Sequence, residues 1–237
     1  MNGATAFPRN DTAAFLRNDA ATFLRAHTVP ARPPLVPEIT LHLATEITPI
    51  WQAGEAWLGA REIAPPFWAF AWPGSQALAR HVLDHPHLVA GRRVLDFAAG
   101  SGLAAIACAR AGAAAVEAAE IDPLAIAAIA LNAAANGVDV RLLDRDVVGE
   151  SGPWDLILCG DVCYEAPMTR HILPWLHRLA RGAEVWIADP GRAYLPATGL
   201  AAFARMVVPT SLELEDRTER TVTLYRLEAD CGLAGEG

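Results

Sequence analysis

Two acids and a glycine turn carry the most specific chemistry in this chain. Val94-Leu95-Asp96-Phe97-Ala98-Ala99-Gly100-Ser101-Gly102 is followed, eighteen residues after its last glycine, by Glu120-Ile121-Asp122-Pro123. The pattern reads as a strand ending in an acid, a glycine turn, a helix, and a second strand ending in an acid. Glycines in the turn let the backbone approach a ligand with no Cβ in the way. The second acid stands where nucleotide-type sites grip a ribose diol. Gly100-Ser101-Gly102-Leu103-Ala104-Ala105 satisfies G-x-G-x-x-A, which by itself fits a dinucleotide. Asp96 argues the other way: a negative charge just before the turn repels a pyrophosphate. S-adenosylmethionine has no phosphate and carries a positive sulfonium and ammonium, which an acid attracts. An NAD-dependent oxidoreductase is the competing class, and stabilisation by NADH but not by S-adenosylhomocysteine would mark it.

These residues need an α/β sheet beneath them. Alternation predicts a helix near 74–85, a strand at 93–97, a helix at 102–111 and a strand at 115–121. A helix opened by Asp122-Pro123 and closed by Asn136-Gly137 follows, with proline inside the first turn and glycine past the end. Strands at 138–143 and 154–160, a helix at 167–181 kinked at Pro174, a strand at 184–188 and a helix at 197–207 complete the alternation. Ser211–Glu215 and Thr221–Leu227 alternate around a charged turn and predict a terminal antiparallel hairpin. The expected fold class is α/β, a doubly wound sheet with one reversed strand and its ligands at the carboxyl ends of strands 93–97, 115–121 and 154–160.

Ahead of this core, 38–72 is an irregular segment rich in tryptophan (Trp51, Trp57, Trp68, Trp72). In the first 37 residues, Arg9-Asn10-Asp11-Thr12-Ala13-Ala14-Phe15-Leu16 is nearly repeated from Arg17 to Leu24. A short helix with Phe15, Leu16, Phe23 and Leu24 on one side fits it, ended by prolines 30, 33, 34 and 37. The expected division is an N-terminal helical extension at 1–37, one cofactor-binding domain at 38–230 and a tail at 231–237.

Composition narrows the function classes. No apolar run among the 237 residues approaches the roughly 18 of a membrane span. A net charge of −8 argues against a nucleic-acid surface and suits a basic or lysine-bearing protein partner. Every basic side chain is arginine, so an enzyme that modifies lysine could not modify itself. Cys108, Cys159, Cys163 and Cys231 form no C-x-x-C pair, the usage of a reducing compartment. His81, His85 and His87 include an i, i+4 pair, but no acid–histidine cluster accompanies it, so a solvated helix end is expected and no metal site. The N-terminus shows neither a signal peptide nor a transit peptide, and the expected location is a bacterial cytoplasm.

Longer stretches carry a family resemblance. Pro66-Phe67-Trp68-Ala69-Phe70-Ala71-Trp72-Pro73-Gly74-Ser75-Gln76-Ala77-Leu78, Val94–Gly102, Ile121-Asp122-Pro123 with Leu131-Asn132, Trp154–Tyr164 and Asp189-Pro190-Gly191-Arg192 together resemble the class I, seven-strand S-adenosylmethionine-dependent methyltransferases. Within that class the chain resembles the lysine methyltransferases that act on the β subunit of electron transfer flavoprotein, over about Val36 to Leu227. The resemblance implies a Rossmann-like, seven-strand methyltransferase sheet with a C-terminal antiparallel hairpin. It implies that Asp96, Gly100 and Gly102 line the methionine end of S-adenosylmethionine and that Glu120 accepts both ribose hydroxyls, while Asp122 caps the next helix. Asp146 and Val147 would face the adenine, and Trp68 and Trp72 would cover the pocket. Asp161-x-x-Tyr164 matches the acid-x-x-aromatic signature that holds the target side chain. The chain departs from the family pattern at Ala98 and Ala99, where glycine is favoured.

The chemistry so implied is in-line displacement by a neutral amine. A free lysine has a pKa near 10.4, so about one in a thousand is neutral at pH 7.4. Aromatic walls from Tyr164 and the tryptophans would lower that pKa by desolvation. Asp161 would orient the amine or take its proton; orientation is favoured, because proton loss to solvent can precede attack. Amide- and adenine-methylating relatives use Asn-Pro-Pro-aromatic where Gly160-Asp161-Val162-Cys163 stands here, which also favours an amine. The expected partner is the β subunit of electron transfer flavoprotein, with a ribosomal protein as the variant and a monomer as the acting form. Small-molecule amines and a non-catalytic binding role are the remaining alternatives.

Overall fold

The computed structural model describes residues 19–58 and 65–229. Helix α1 (19–27) leads into an antiparallel ribbon of β1 (Val29–Ala31) and β2 (Leu41–Leu43), then α2 (Ile47–Leu58) and a 3-10 turn at Phe67–Ala69. The alternating part runs α3 (Pro73–Asp84), β3 (Arg93–Phe97), α4 (Leu103–Arg110), β4 (Ala115–Ala119), α5 (Pro123–Ala135), β5 (Arg141–Leu143), β6 (Leu156–Gly160), α6 (Ala166–Leu179) and β7 (Glu184–Asp189). It closes with β8 (Leu200–Pro209), a single turn α7 (Leu212–Glu215) and β9 (Glu219–Leu227). The main sheet has seven strands in the order β5-β4-β3-β6-β7-β9-β8. Its first five strands are parallel, and β9 is antiparallel to both neighbours. Strand order reverses between β3 and β6, which opens a crevice at their carboxyl ends.

Strand alternation explains the layers. Val94, Leu156 and Leu158 face α3 and α4, packing with Leu78, Val82, Leu103 and Ile106. Leu95, Phe97, Ile157 and Cys159 face α6, packing with Ile172, Trp175 and Leu176. A sheet covered on both faces needs such near-continuous apolar strands. Asp96 is the exception: it is 3% exposed on the α4 side, where its Oδ2 accepts the Ala105 N–H at 2.9 Å. Helix α5 starts as its sequence predicts, with Asp122 Oδ1 accepting the Leu124 N–H at 2.8 Å and Pro123 in the first turn.

The terminal segment corrects the sequence reading. Residues 197–207 were expected to be helical, yet Leu200–Pro209 is strand β8, and the expected strand 211–215 is the helical turn α7. Alanine content favours helix, but Phe203 stacks on Trp186 at 5.2 Å, Val208 is fully buried and β9 supplies a partner along the whole segment. Tertiary pairing overrides local propensity here. The antiparallel hairpin is therefore present, formed by β8 and β9. Strands expected at 115–121 and 138–143 shorten to β4 and β5.

Phe23 and Leu24 are buried against Trp68, Leu124 and Ala128, so α1 packs on α5. The 37/38 boundary falls between paired strands, since Val29 lies opposite Leu43. Phe15, Leu16, Cys231 and the tail 231–237 lie outside the described residues.

Candidate active site

The glycine turn links β3 to α4 and needs left-handed backbone at Ala98, Gly100 and Gly102, with φ of 52°, 54° and 78°. Glycine takes that conformation freely and alanine does so at a cost. Gly102 is also constrained by space, because a Cβ there would lie 2.9 Å from Ile129 Cγ2 on α5. Glu120, one residue past β4, braces the turn: its Oε1 accepts the Gly100 N–H at 2.8 Å and its Oε2 accepts the Ile121 N–H at 3.1 Å. Each oxygen keeps a free lone pair, which suits a ribose diol. Asp122 Oδ1 is engaged in its helix cap, accepting the Leu124 N–H.

The electrostatics of the turn select a cationic ligand. Burial pushes the Asp96 carboxyl up to about 8, and the nearby Glu120 charge adds to the rise. Burial likewise raises Glu120. No cation is among the groups acting on either. A ligand bearing ammonium and sulfonium favours the ionised form of the buried Asp96 and of the part-buried Glu120. The acceptors around the turn fit S-adenosylmethionine.

Across the strand-order reversal, the end of β6 carries a second cluster. Asp161 has left-handed backbone at φ 58° and donates its N–H to the Ala188 carbonyl at 3.0 Å. Its Oδ2 accepts the Gly74 N–H at 2.5 Å, from the first turn of α3. Its Oδ1 accepts Nε and Nη2 of Arg192 at 3.2 and 2.7 Å. Burial pushes Asp161 up to about 6, while Arg192 and Gly74 act to lower it. An aromatic wall stands at this point. Tyr164 is 5.4 Å from Phe67, Phe67 is 5.7 Å from Trp72, and the Arg192 guanidinium lies 5.9 Å from the Trp72 ring centre.

The remaining residues singled out from the sequence are placed as follows. Trp72 is partly exposed and donates Nε1 to the Phe67 carbonyl at 2.7 Å. The Trp68 ring is buried in the core with Leu124 and Phe23, and what Trp68 brings to the turn is backbone: a Cβ on Gly100 would lie 3.9 Å from its Cα. Asp146 is exposed in the loop after β5, its Oδ1 accepting the Val148 N–H and its Oδ2 3.1 Å from His171 Nε2. Val147 is buried under α6 with Phe97 and Trp175.

Several residues were not legible as site residues. Gly74 approaches Asp161 more closely than any side chain allows. Asn132, fully buried, donates to the Ser101 carbonyl at 2.9 Å and accepts the His42 N–H at 2.7 Å, tying the glycine turn to α5 and β2. Glu215, 4% exposed, holds Arg192 from α7. Gly74 and Asn132 sit inside stretches that carry the resemblance, while Glu215 has no local signal.

Comparison with known proteins agrees with this geometry. The family model for ribosomal protein L11 methyltransferase (PrmA) matches residues 77–162. Among solved structures, a methyltransferase of Pyrococcus horikoshii superposes with a TM-score of 0.53 at 17% identity, over 71% of this chain and 90% of that one. Magnesium protoporphyrin IX methyltransferase of Synechocystis with bound S-adenosylmethionine gives 0.50 at 15% identity, over 94% and 100%. The fold and the glycine-turn site thus define a class I S-adenosylmethionine-dependent methyltransferase. Electron transfer flavoprotein β-subunit lysine methyltransferase of Xenopus laevis is 44% identical over 174 residues, 70% of this chain and 68% of that protein. The Danio rerio protein of the same name is 36% identical over 207 residues, 83% and 79%. The chain belongs to the electron transfer flavoprotein β-subunit lysine methyltransferase family.

Proposed function

We propose that this protein methylates lysine side chains of the electron transfer flavoprotein β subunit, using S-adenosylmethionine. The carrying observation is a buried, fully braced carboxylate, Asp161, beside the Phe67–Trp72–Tyr164 wall, in a chain of that family. S-adenosylmethionine, when bound, would supply a sulfonium methyl group that the amine attacks in line, the C–S bond breaking to release S-adenosylhomocysteine. Glu120 grips the ribose hydroxyls, and Asp96 with the Gly100–Gly102 turn receives the cationic methionine end. Asp146 and Val147 flank the adenine. Trp68 and Trp72 close the pocket, Trp68 through its backbone and Trp72 through its ring. The aromatic wall strips water from the incoming ammonium and so favours the neutral amine. Asp161 Oδ2 has one lone pair left beside the Gly74 bond, enough to accept one amine N–H and aim the nitrogen lone pair. Arg192 weakens Asp161 as a base, which supports orientation over proton abstraction.

A ribosomal-protein substrate is the second reading. Its support is the L11 methyltransferase model and a Symbiobacterium thermophilum L11 methyltransferase, 49% identical over 70 residues. The matched residues of the family model end at 162, so they include Asp161 but not Tyr164, Arg192 or Glu215. The proposal includes action as a monomer, since one chain supplies every group named. It also includes a reducing compartment such as a bacterial cytoplasm, supported by the free, buried thiols Cys108, Cys159 and Cys163.

The test is transfer of labelled methyl to purified electron transfer flavoprotein β and, separately, to ribosomal protein L11. Label in the first on lysine supports the proposal. Label in L11 alone keeps the chemistry and changes the partner. Label in neither, with S-adenosylmethionine bound, overturns the protein-lysine reading in favour of small amines.

A further inference from the structure

The charges behind Asp161 form a connected chain. Arg192 reaches Asp161 with Nε and Nη2, and reaches Glu215 with Nη1 at 3.2 Å and Nη2 at 2.6 Å. Arg220 on β9 donates Nε to Glu215 at 2.9 Å. Asp161 and Glu215, both buried, are met by the guanidiniums of Arg192 and Arg220, and Arg220 also reaches the exposed Asp216 Oδ1 at 3.3 Å. Such a network is a weak source of stability, because desolvating the ions offsets most of their attraction. Methyl transfer gives it a different use. A lone buried carboxylate beside the acceptor would hold lysine as ammonium, which cannot attack. A carboxylate already balanced by a guanidinium keeps its directional lone pair and loses most of its field.

We infer that Arg192 and Glu215 are positioning residues for methyl transfer: Arg192 keeps Asp161 anionic, aimed and electrically balanced, and Glu215, from the turn between β8 and β9, sets how strongly it does so. This rests on the lysine reading of the site given above. It also assigns a use to the Asp189-Pro190-Gly191-Arg192 stretch. Asp189 Oδ1 accepts the Gly191 and Arg192 N–H groups, both at 2.6 Å, and so fixes the backbone from which Arg192 extends. Glu215 lies next to Leu214, which packs in the same cluster as Trp72, so the hairpin turn is docked on the acceptor side.

The groups facing Asp161 come from five elements: the Gly74 N–H on α3, Arg192 and Asp189 around the end of β7, Glu215 on α7, Arg220 on β9 through Glu215, and the Cys163 thiol in its own loop. Arg192 lowers the Asp161 pKa and Glu215 raises it. Their removal therefore has opposite signs, which damage to the fold does not mimic.

The experiment is the pH profile of kcat/KM for the wild type, Arg192→Gln, Arg192→Lys and Glu215→Gln, with a ¹³C carboxyl titration of Asp161 on the substrate-free proteins. The neutral-amine requirement gives log kcat/KM a slope of about one, and protonation of Asp161 steepens it to about two below the Asp161 pKa. We expect that break to rise by about one pH unit in Arg192→Gln, to fall in Glu215→Gln and to stay in Arg192→Lys. Turnover at pH 7 should drop about tenfold or more in Arg192→Gln, with KM for the protein acceptor changed far less. Breaks that move in the same direction, or do not move while the wild type is active, overturn the inference. Carboxyl shifts in the titration without any change in rate also overturn it and leave the lysine reading intact. A wild type that labels no lysine overturns that reading and this inference with it. If Arg192→Gln does not fold, the downward break in Glu215→Gln, an isosteric change, decides alone.

Discussion

Gly74→Ala tests whether the contact between α3 and the end of β6 is what holds the acceptor site. An added Cβ would lie 2.5 Å from Asp161 Oδ2, 2.7 Å from the Ala188 carbonyl oxygen and 2.8 Å from the Asp161 nitrogen. Two of these are backbone atoms, so no rotamer change relieves them. Restoring ordinary carbon–oxygen separation requires α3 and the β6 end to part by about 0.5–1 Å. Overpacking of this kind costs about 1–3 kcal/mol. The same movement breaks the charge-assisted Gly74–Asp161 bond, worth about 1.5–3 kcal/mol. One displacement causes both losses, so they overlap, and we expect a total near 3–4 kcal/mol by urea unfolding. Asp161 then sits off its aim, and a 1 Å misplacement costs on the order of a hundredfold in turnover. Cofactor affinity should change by less than about threefold, because Asp96, Gly100 and Glu120 stand on or just after β3 and β4. Gly182→Ala, an exposed glycine whose Cβ would meet nothing within 4 Å, is the control, expected within about 0.5 kcal/mol of wild type. A loss below about 1 kcal/mol, with single-turnover rates within about twofold of wild type, would refute this account of the contact.

Three further changes probe the cofactor side. Glu120→Ala should weaken S-adenosylmethionine by about 1–3 kcal/mol in calorimetry, and unchanged affinity would remove Glu120 from the ribose site. Asp96 has a folded pKa raised from 3.8 to about 8, so the free enzyme holds that proton well above the unfolded value. Its contribution to stability is fully present below pH 3.8 and is lost as pH rises to about 8, so Asp96→Asn should make apo melting flatter over that window. A bound cation favours the ionised form, so S-adenosylmethionine affinity should rise with pH up to about 8 in the wild type and stay level in Asp96→Asn. Ala98→Gly relieves a left-handed alanine at φ 52° and should raise apo stability by about 0.5–1 kcal/mol; a loss in urea unfolding would show that the turn is unstrained.

What the sequence discloses, and what it hides, follows from how far apart the interacting residues are. The β3-turn-α4-β4 unit is legible because its parts are neighbours in sequence: Asp96, Gly100, Gly102 and Glu120 fall within one βαβ repeat, and the Asp122-Pro123 cap is local chemistry. Asp161 and Tyr164 are singled out through the resemblance; both follow β6, and Tyr164 lies 5.4 Å from Phe67. The hairpin is half legible. Its β9 strand alternates, while β8 is written in alanines and becomes a strand only because β9 and Trp186 are there to pair and pack with it. That misreading had a consequence for the site. With 211–215 taken as a strand, Glu215 reads as one more exposed hairpin charge. As the last residue of α7 it is turned inward, 4% exposed, onto an arginine 23 positions earlier. Gly74 hides in another way: in sequence it is only the residue after a helix-opening proline, and its importance comes from Asp161, 87 positions later. The cofactor half of such an enzyme is thus set by one local unit. The half proposed to receive the acceptor is assembled from α3, the ends of β6 and β7, and the reversed hairpin, which meet only when the sheet closes. Changes of acceptor preference should accordingly map to Gly74, Arg192 and Glu215 sooner than to the glycine turn.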